Sequence, residues 1–297
     1  MSVALKEALI AYMAEKGGHD GPYPTEIEAL TLMRSTTPVL PHPMVYRPAL
    51  CVIVQGAKQV MFGDRIFDYE EMQCLVISIA LPAFGRVVRA TPDKPLLALH
   101  LDFDMGIMRD VMAALEPPPR PSGAEDFSVF VEDLREPLAG CLARLIRLLA
   151  TPKAIPILYS AIMREICFWL LTGPHAGEVC KLVLPNSQTQ RIVRAIHMLR
   201  EQFSKPLRIE ELATASGMSA SSFHQHFRAL TAMTPLQYQK QLRLLEARRL
   251  LIEGDINAAH AAYRVGYESA SQFSREYARM FGQPPKRDVT EVRALSA

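Results

Sequence analysis

A nine-residue segment occurs twice in this chain, and the repeat restricts the fold more than any other feature. Residues 219–227 are S-A-S-S-F-H-Q-H-F, and residues 269–277, 50 positions later, are S-A-S-Q-F-S-R-E-Y. Each copy begins with a serine, a residue suited to cap a helix. Each also carries two aromatic residues four positions apart, which places both rings on one helical face. We therefore predict two capped helices, each of which buries an aromatic pair.

A short apolar helix that ends in glycine is predicted before each copy. Ala213 lies four residues before Gly217, and Ala262 lies four residues before Gly266. Alanine allows two helices to approach closely, and glycine suits the left-handed residue of a tight turn. A helix, a short turn and a second capped helix form a helix-turn-helix, whose second helix enters the DNA major groove. The two copies therefore predict tandem DNA-binding modules.

One long helix is expected between the two modules. Thr234 and Pro235 supply a cap and a first-turn proline. An apolar periodicity then runs from residue 236 to 253 and stops at Gly254. A helix of about 18 residues is about 27 Å long, and successive major grooves on one DNA face lie about 34 Å apart. With the width of the flanking modules added, such a helix can place two recognition helices in successive grooves.

Residues 192–287 resemble the double helix-turn-helix DNA-binding domain of AraC/XylS transcription regulators. The resemblance is carried by L-A-T-A-S-G-M-S-A-S-S-F-H-Q-H-F (212–227) and A-A-Y-R-V-G-Y-E-S-A-S-Q-F-S-R-E-Y-A-R-M-F-G-Q-P-P (261–285). It covers nearly the whole C-terminal third of the chain. It implies a sequence-specific regulator, an activator, whose partners are double-stranded DNA and RNA polymerase.

The polar positions of the two second helices are expected to face outward, toward DNA. Base contacts are expected from Ser221, His224, Gln225, Ser271, Gln272 and Arg275. Arginine and glutamine can each make two hydrogen bonds to a base edge. The alternative at each position is that the side chain is simply exposed to solvent and contacts no base. Arg228, Arg279 and Lys286 lie later in their segments and are expected to contact phosphate. His226 and Glu276 are expected to pack or cap.

Charge is distributed unequally along the chain. From residue 186 onward there are 16 lysines and arginines against 10 acidic residues, a net charge of +6. The preceding residues carry a net charge of −4, so the whole chain has only +2. A basic C-terminal domain fits attraction to a phosphate backbone. The excess is modest, so it supports DNA binding without proving it.

The first 180 residues predict a different architecture, because short strand-like runs recur between turn signals as in a β-sandwich or barrel. The expected strands cover residues 49–54, 58–62, 65–69, 73–80, 85–90 and 95–103. The segment C-V-I-V-Q-G-A-K-Q-V-M-F-G-D-R-I-F-D-Y (51–69) resembles the cupin-like N-terminal domain of one AraC-family branch, which implies a ligand-sensing jelly-roll. An N-terminal helix and an arm with a short helix are expected before about Pro43, and the arm is either a lid or a static strap.

Two apolar helices are expected at 134–149 and 155–171. Their apolar faces must be covered either by the barrel or by a second subunit. The stretch R-E-I-C-F-W-L-L-T-G-P-H-A-G (164–177) resembles the same family branch, whose paired helices commonly form the dimer contact. We expect a homodimer, with packing inside one chain as the alternative. Trp169 is expected to anchor the helical hairpin.

The expected fold class is α+β multidomain, with an N-terminal cupin-like β-barrel and helical hairpin and a C-terminal all-α double helix-turn-helix domain. The ligand-sensing and dimerisation domain covers residues 1–180, with the hairpin at about 134–172. A linker at 181–190 leads to the DNA-binding domain at 191–290. The uncharged apolar stretch at 166–171 is too short to span a bilayer. No membrane contact and a cytoplasmic location are therefore expected.

The ligand site is expected on one sheet face of the barrel. Its candidate residues are Cys51, Ile53, Gln55, Val76, Ser78 and His100. An apolar pocket with a few polar groups suits an uncharged or weakly acidic organic effector, whose identity the sequence leaves open. No cofactor is expected. A metal cupin needs two histidines one residue apart, a nearby carboxylate and a distant histidine, whereas this region has only His42 and His100. His100 and Asp102 are expected to form a structural hydrogen-bond pair.

The competing hypothesis is a cupin-type enzyme, a DNA-repair alkyltransferase or a thiol-based sensor fused to the same DNA-binding module. The missing histidine-carboxylate cluster disfavours the first, and the lack of clustered nucleophilic cysteines disfavours the second, so we expect neither an enzyme nor catalytic residues. Five cysteines without a C-x-x-C pair disfavour a disulfide framework or zinc site. Cys51 is either a reactive thiol in an exposed electropositive setting or a small buried hydrophobe, and we favour the second.

Overall fold

The described strands all lie before residue 134, and the structure divides into two units. The computed structural model describes residues 3–122, 127–185, 187–254 and 256–296, except for the side chains at 40, 41 and 294–296. One unit comprises residues 1–190 with 229–232, and the other comprises residues 191–228 with 233–297. The α+β class predicted from the sequence is confirmed.

Within the described residues of the first unit, the strands form two antiparallel sheets. They are β1 (Gly21–Pro24), β2 (Leu30–Ser35), β3 (Val39–Tyr46), β4 (Ala49–Gln55), β5 (Ala57–Phe62), β6 (Arg65–Glu70), β7 (Gln73–Ile77), β8 (Leu81–Arg89), β9 (Leu96–Asp102) and β10 (Val129–Asp133). The larger sheet has the order β1-β2-β9-β4-β7-β10, and the smaller has the order β3-β8-β5-β6.

The strands expected between residues 49 and 103 are present as β4 to β9. The expectation of an arm and a short helix before residue 43 was wrong, because β1, β2 and β3 occupy that segment. β2 pairs with β9 along its whole length, so this segment is part of a sheet and not a lid. The strand β3 was not predicted because it contains prolines, which disfavour strands. It tolerates them because it lies at the edge of the smaller sheet.

Helices cover one face of the larger sheet. They are α1 (Val3–Glu15), α2 (Met105–Ala114), α3 (Glu136–Leu148), α4 (Ile155–Thr172) and α5 (Ala176–Val179). Side chains that alternate along β4, such as Leu50 and Val52, join Leu142 of α3 and Ile166 of α4 in one hydrophobic core. Because successive side chains point to opposite faces of a sheet, Cys51 points away from these helices, toward the space between the two sheets.

The second unit is helical throughout its described residues. The helices are α6 (Gln188–Glu201), α7 (Ile209–Ala215), α8 (Ala220–Thr231), α9 (Pro235–Glu253), α10 (Ala258–Arg264), α11 (Ala270–Phe281) and α12 (Pro285–Ser296). The segment expected as a polar linker, 181–190, contains part of a 3₁₀ turn and the first residues of α6. Leu182 and Val183 are buried there, so the segment is packed on its own unit.

Candidate nucleic-acid interface

The first repeated segment forms α8, and its sequence explains why. Ser219 caps the helix by accepting a hydrogen bond from the Ser222 backbone N–H at 3.3 Å. Phe223 and Phe227 are fully buried with ring centroids 5.4 Å apart. Gly217, with φ of +62°, occupies the left-handed position of the turn between α7 and α8. The predicted helix-turn-helix is therefore present.

The second repeated segment forms α11 by the same construction. Ser269 accepts a hydrogen bond from the Gln272 backbone N–H at 3.3 Å. Phe273 and Tyr277 are fully buried, with ring centroids 5.4 Å apart. Gly266 takes the turn position with φ of +92°. The amphipathic pattern thus leaves one polar side on each of the two equivalent helices.

The side chains predicted to contact DNA lie on these polar sides, except for Lys286, which lies on α12. Exposed residues among them are Ser221, His224, Gln225, Arg228, Ser271, Gln272, Arg275, Arg279 and Lys286. Within the described part of the chain, the side chains of Arg275 and Arg279 have no ion pair, so their guanidinium groups are available to an anion or a base edge. The Gln272 amide donates a 3.2 Å hydrogen bond to Glu276, so a base would have to compete for it.

Glu276 has the packing role expected for it. Its carboxylate accepts hydrogen bonds from Lys240 Nζ at 2.7 Å and from the Tyr267 hydroxyl at 2.8 Å. Burial alone would raise the pKa of Glu276, but these bonds and the one from Gln272 lower it. His226, at the equivalent position of α8, is half-buried. The carboxylate therefore ties α11 to α9 rather than facing DNA.

The long helix α9 holds both modules. It has 19 residues and begins with a capping box between Thr234 and Gln237. Arg243, in the middle of α9, donates to the carbonyl oxygens of Phe203 and Gly266, each at 2.7 Å. The sequence alone did not reveal this role, because an arginine that binds backbone carbonyls and an arginine that faces solvent occur at the same kind of position in an amphipathic helix.

A buried ion pair fixes the end of the second module. Arg248 makes two hydrogen bonds to the Asp288 carboxylate, at 2.7 and 3.1 Å, and the Tyr277 hydroxyl donates to the same carboxylate at 2.7 Å. The side chains of Arg248 and Asp288 are only 12% and 6% exposed. A buried pair of this geometry orients α12 against α9 and α11, and removal of one partner would leave an uncompensated charge.

A second polar site lies between the sheets of the first unit. Cys51 on β4 pairs in register with His100 on β9. Their side chains meet, with 3.2 Å between Cys51 Sγ and His100 Nδ1. On its other side, His100 Nε2 lies 2.9 Å from Asp102 Oδ1. The predicted bond between His100 and Asp102 is thus confirmed, but sequence analysis missed that Cys51 extends it.

Charged groups surround the Cys51 sulfur. Burial on its own would lower the pKa of His100, but Cys51 and Asp102 raise it to about 10. Lys58 of β5 reaches across to the larger sheet, where its ammonium lies 3.7 Å from Met33 Sδ. Burial lowers the pKa of Lys58, and the negative charge of a Cys51 thiolate opposes that effect. Cys51 is 5% exposed, so it is buried, but its surroundings are not those of a simple hydrophobe.

The remaining predicted pocket residues do not all share this site. Ile53 lies on the same side of β4 as Cys51 and is fully buried. Val76 was placed wrongly, because it pairs with Leu50 and packs in the core under the helices, on the opposite face of the sheet. Gln55 donates to the Pro95 carbonyl oxygen at 2.7 Å, and Ser78 is 5% exposed.

Metal binding and membrane insertion are two further possibilities for the first unit. Within the described ranges, no group of three or more histidine, cysteine or acidic side chains is placed to hold a metal ion. By length and composition alone, Pro152–Thr172 could cross a bilayer, although the uncharged stretch at 166–171 is too short. Core helices meet the same criterion, and Met163, Ile166 and Cys167 of this segment are fully buried in the first unit.

Comparison with known proteins identifies the family. Residues 26–178, more than half of the chain, match the family model described as "AraC-type transcriptional regulator N-terminus". The chain belongs to this family of AraC-type regulators. Residues 212–289 match the model of a helix-turn-helix domain, which covers both modules described above.

Similar proteins include the transcriptional activator RhaS of Yersinia pestis bv. Antiqua (strain Angola), 29% identical over 135 residues, which are 46% of this chain and 49% of RhaS. The chain thus spans about half the length of the curated relatives it matches. Among solved structures, the apo form of a ToxT variant of Vibrio cholerae has a TM-score of 0.55 and 9% identity, over 88% of this chain and 97% of ToxT. Unsaturated fatty acid bound ToxT of the same species has a TM-score of 0.51 and 8% identity, over 87% and 94% of the two chains. At this identity the likeness establishes the fold.

Proposed function

We propose that this AraC-type regulator is a sequence-specific DNA-binding transcription activator. The observation that carries the proposal is the duplicated helix-turn-helix, in which α8 and α11 are built alike and each turns a polar side outward. A helix of this kind enters the major groove with the residues of its N-terminal half toward the base edges. The activator role rests on the similarity to RhaS.

Base recognition is assigned to the N-terminal halves of the two helices. Arg275 and Gln272 of α11 and Gln225 and His224 of α8 have the hydrogen-bonding groups for it, with Ser221 and Ser271 beside them. Arg228, Arg279 and Lys286 lie further along and are assigned to phosphate oxygens, which fix the position of the protein without specifying sequence. RNA polymerase is the proposed partner of the DNA-bound protein, in the cytoplasm.

The experiment is a selection of DNA from a random pool by the full-length protein, followed by sequencing. We expect a site with two blocks of specified bases, separated by about one helical turn, because α8 and α11 would occupy successive grooves. Binding should weaken steeply with salt because phosphate contacts release counterions. Recovery of a single short block, or of no common sequence, would contradict tandem recognition.

A second component of the proposal is a homodimer through α4. Four large apolar side chains on this helix are exposed, with Ile157 74%, Leu158 48%, Phe168 39% and Trp169 37% accessible. The opposite side of α4 packs in the core of its own unit, so the exposed side is available to a second copy. Trp169 is therefore not the buried anchor that its sequence context suggested.

The first unit is also proposed to bind an organic effector that controls DNA binding. ToxT, which has the same fold, has been solved with an unsaturated fatty acid. In this chain the polar groups between the sheets, His100 and Lys58, would orient a weakly acidic molecule among apolar side chains such as Ile53. Such an effector acts only if it binds the active arrangement more tightly than the inactive one.

A further inference from the structure

Three side chains between the sheets form a continuous hydrogen-bonded chain. Cys51 Sγ lies 3.2 Å from His100 Nδ1, and His100 Nε2 lies 2.9 Å from Asp102 Oδ1. This is the order of a nucleophile, a general base and a carboxylate that orients the base. DNA recognition and the proposed dimer contact use none of the three residues, and the proposed effector site uses only His100. The arrangement therefore requires an explanation of its own.

The His100 ring is placed to take the proton of the Cys51 thiol, because its Nδ1 lies 3.2 Å from the sulfur. A thiolate is the nucleophilic state of cysteine, and nearby cations stabilise it. Once it has taken the thiol proton, His100 is such a cation, and the Asp102 carboxylate lies on the far side of the imidazole ring. Two tyrosines, Tyr46 and Tyr69, also lie near Cys51. Burial raises the pKa of both, so they stay neutral.

Cys141 has a guanidinium 3.5 Å from its sulfur, from Arg144, but among the described contacts no cysteine other than Cys51 has a histidine partner. Cys74, on the neighbouring strand, pairs with Val52 and lies in the core on the opposite face of the sheet. Burial raises the pKa of Cys74, and likewise of Cys141, Cys167 and Cys180. Since Cys74 faces away, it cannot resolve an oxidised Cys51 as a disulfide. A carbon adduct, which needs no second thiol, is the product that this geometry favours.

The carboxylate end of this hydrogen-bonded triad is partly open to solvent. The His100 and Asp102 side chains are 30% and 28% exposed. Asp102 also lines a cleft of about 380 Å³, together with Arg47, Ile155 and Tyr159. The sulfur itself is more enclosed, because Cys51 is 5% exposed. The approach thus selects compact reagents.

We propose that Cys51 is a covalent capture site for small α,β-unsaturated carbonyl compounds, with His100 as its base and Asp102 as the positioning residue. His100 takes the thiol proton, and the thiolate forms a bond from Sγ to the β carbon. The carbon-carbon π electrons move to the α carbon, which receives the proton from the imidazolium. The product is a thioether, and no oxidant or other reactant is consumed. This capture goes beyond the reversible effector binding proposed above and does not depend on it.

The first test uses the full-length wild-type protein and methyl vinyl ketone. Peptide mass spectrometry would give the alkylation rate of each of the five cysteines, native and denatured. We expect Cys51 in the native protein to react at least about tenfold faster than Cys74, and the two to react equally when denatured. Equal rates in the native protein, or a faster Cys74, would overturn the proposal.

Variants then separate base catalysis from simple exposure. His100→Gln should lower the Cys51 rate by about 100-fold, the usual contribution of a general base, whereas Cys74→Ser should leave it unchanged. Asp102→Asn should lower the rate by about tenfold, and Asp102→Glu, which keeps the carboxylate, should restore most of it. Circular dichroism would confirm that each variant is folded. A folded His100→Gln variant that reacts as fast as the wild type would refute the role of the base.

Discussion

Gly217 and Gly266 occupy equivalent turns but have different surroundings. Both have positive φ, so a side chain at either position is strained. A Cβ at Gly217 would meet nothing within 4 Å, whereas one at Gly266 would lie 1.9 Å from the Ser204 carbonyl oxygen. We expect Gly217→Ala to cost about 1–2 kcal/mol and Gly266→Ala to cost more than about 3 kcal/mol, since backbone must move as well.

Urea denaturation of residues 186–297, followed by circular dichroism, would measure the two losses in free energy of unfolding. Each variant is a control for the other. Both place an alanine at a left-handed backbone position, but only the alanine at position 266 would also collide with a neighbouring backbone. Equal losses would mean that the contact with Ser204 does not distinguish the two turns.

Arg275 and Arg279 lie one turn apart on α11 and are both exposed, yet we assign them different roles. Arg275→Ala should cost roughly 1–3 kcal/mol at the selected site and relax the preference at one base position. Arg279→Ala should weaken binding to all sequences alike. It should also lower by about 1 the slope of the logarithm of the binding constant against the logarithm of the salt concentration, because about one fewer counterion is released. Titration of both variants against the selected site and a scrambled site would measure this. Uniform losses in both would show that Arg275 contacts phosphate.

The helix α9 depends on one interior arginine. Arg243 donates to the carbonyl oxygens of Phe203, Lys205 and Gly266 at distances of 2.7 to 2.9 Å. Removal of the guanidinium takes this donor from the Gly266 carbonyl and leaves the Phe203 and Lys205 carbonyls with Gln239 alone. Arg243→Ala should therefore destabilise the second unit by about 2–4 kcal/mol. Arg249→Ala is the matched control, because Arg249 lies on the same helix with an exposed side chain paired to Glu246 and Glu253. This substitution should leave the free energy of unfolding nearly unchanged, because exposed ion pairs contribute little to stability.

Hydrogen exchange of the backbone amides would locate the effect of the Arg243 substitution. Exchange should accelerate around Gly266 and at residues 203–205, where the carbonyl groups lose the hydrogen bonds from Arg243. Unchanged protection in both segments, or an equal effect of the Arg249 substitution, would contradict the role of Arg243 in joining the modules.

The elements differ in how far the sequence determines them. The helices α8, α9 and α11 were predicted because caps, glycines and periodicity all lie within one local segment. β1 to β3 were missed because their prolines and polar residues weaken the alternation, and pairing with β8 and β9 supplies the stability. Cys51 and His100 are 49 positions apart in the sequence, and Arg243 and Phe203 are 40 positions apart. Only the tertiary structure brings the members of each pair into contact.

The two units divide the charge and the apolar surface of the molecule between them. The excess of basic residues lies from residue 186 onward, in the part that carries α8 and α11. The large exposed apolar side chains of α4 lie in the other unit. Electrostatic attraction to DNA and hydrophobic association between copies can therefore act on separate surfaces. Substitutions on one surface should leave the other function intact.

The exposed side of α4 gives the last prediction. The double substitution Ile157→Glu and Trp169→Glu should raise the dimer dissociation constant by at least about 100-fold, because each apolar side chain contributes about 1.5–3 kcal/mol when buried and a buried unpaired carboxylate costs more. Sedimentation velocity at micromolar concentration should show that this variant is monomeric. The monomer should still bind DNA through the second unit. Ile66→Glu is the control, since Ile66 is 57% exposed on β6 of the same unit, and this variant should remain dimeric. A monomeric wild-type protein, or equal dissociation caused by Ile66→Glu, would exclude α4 as the contact and leave its apolar side without a partner copy.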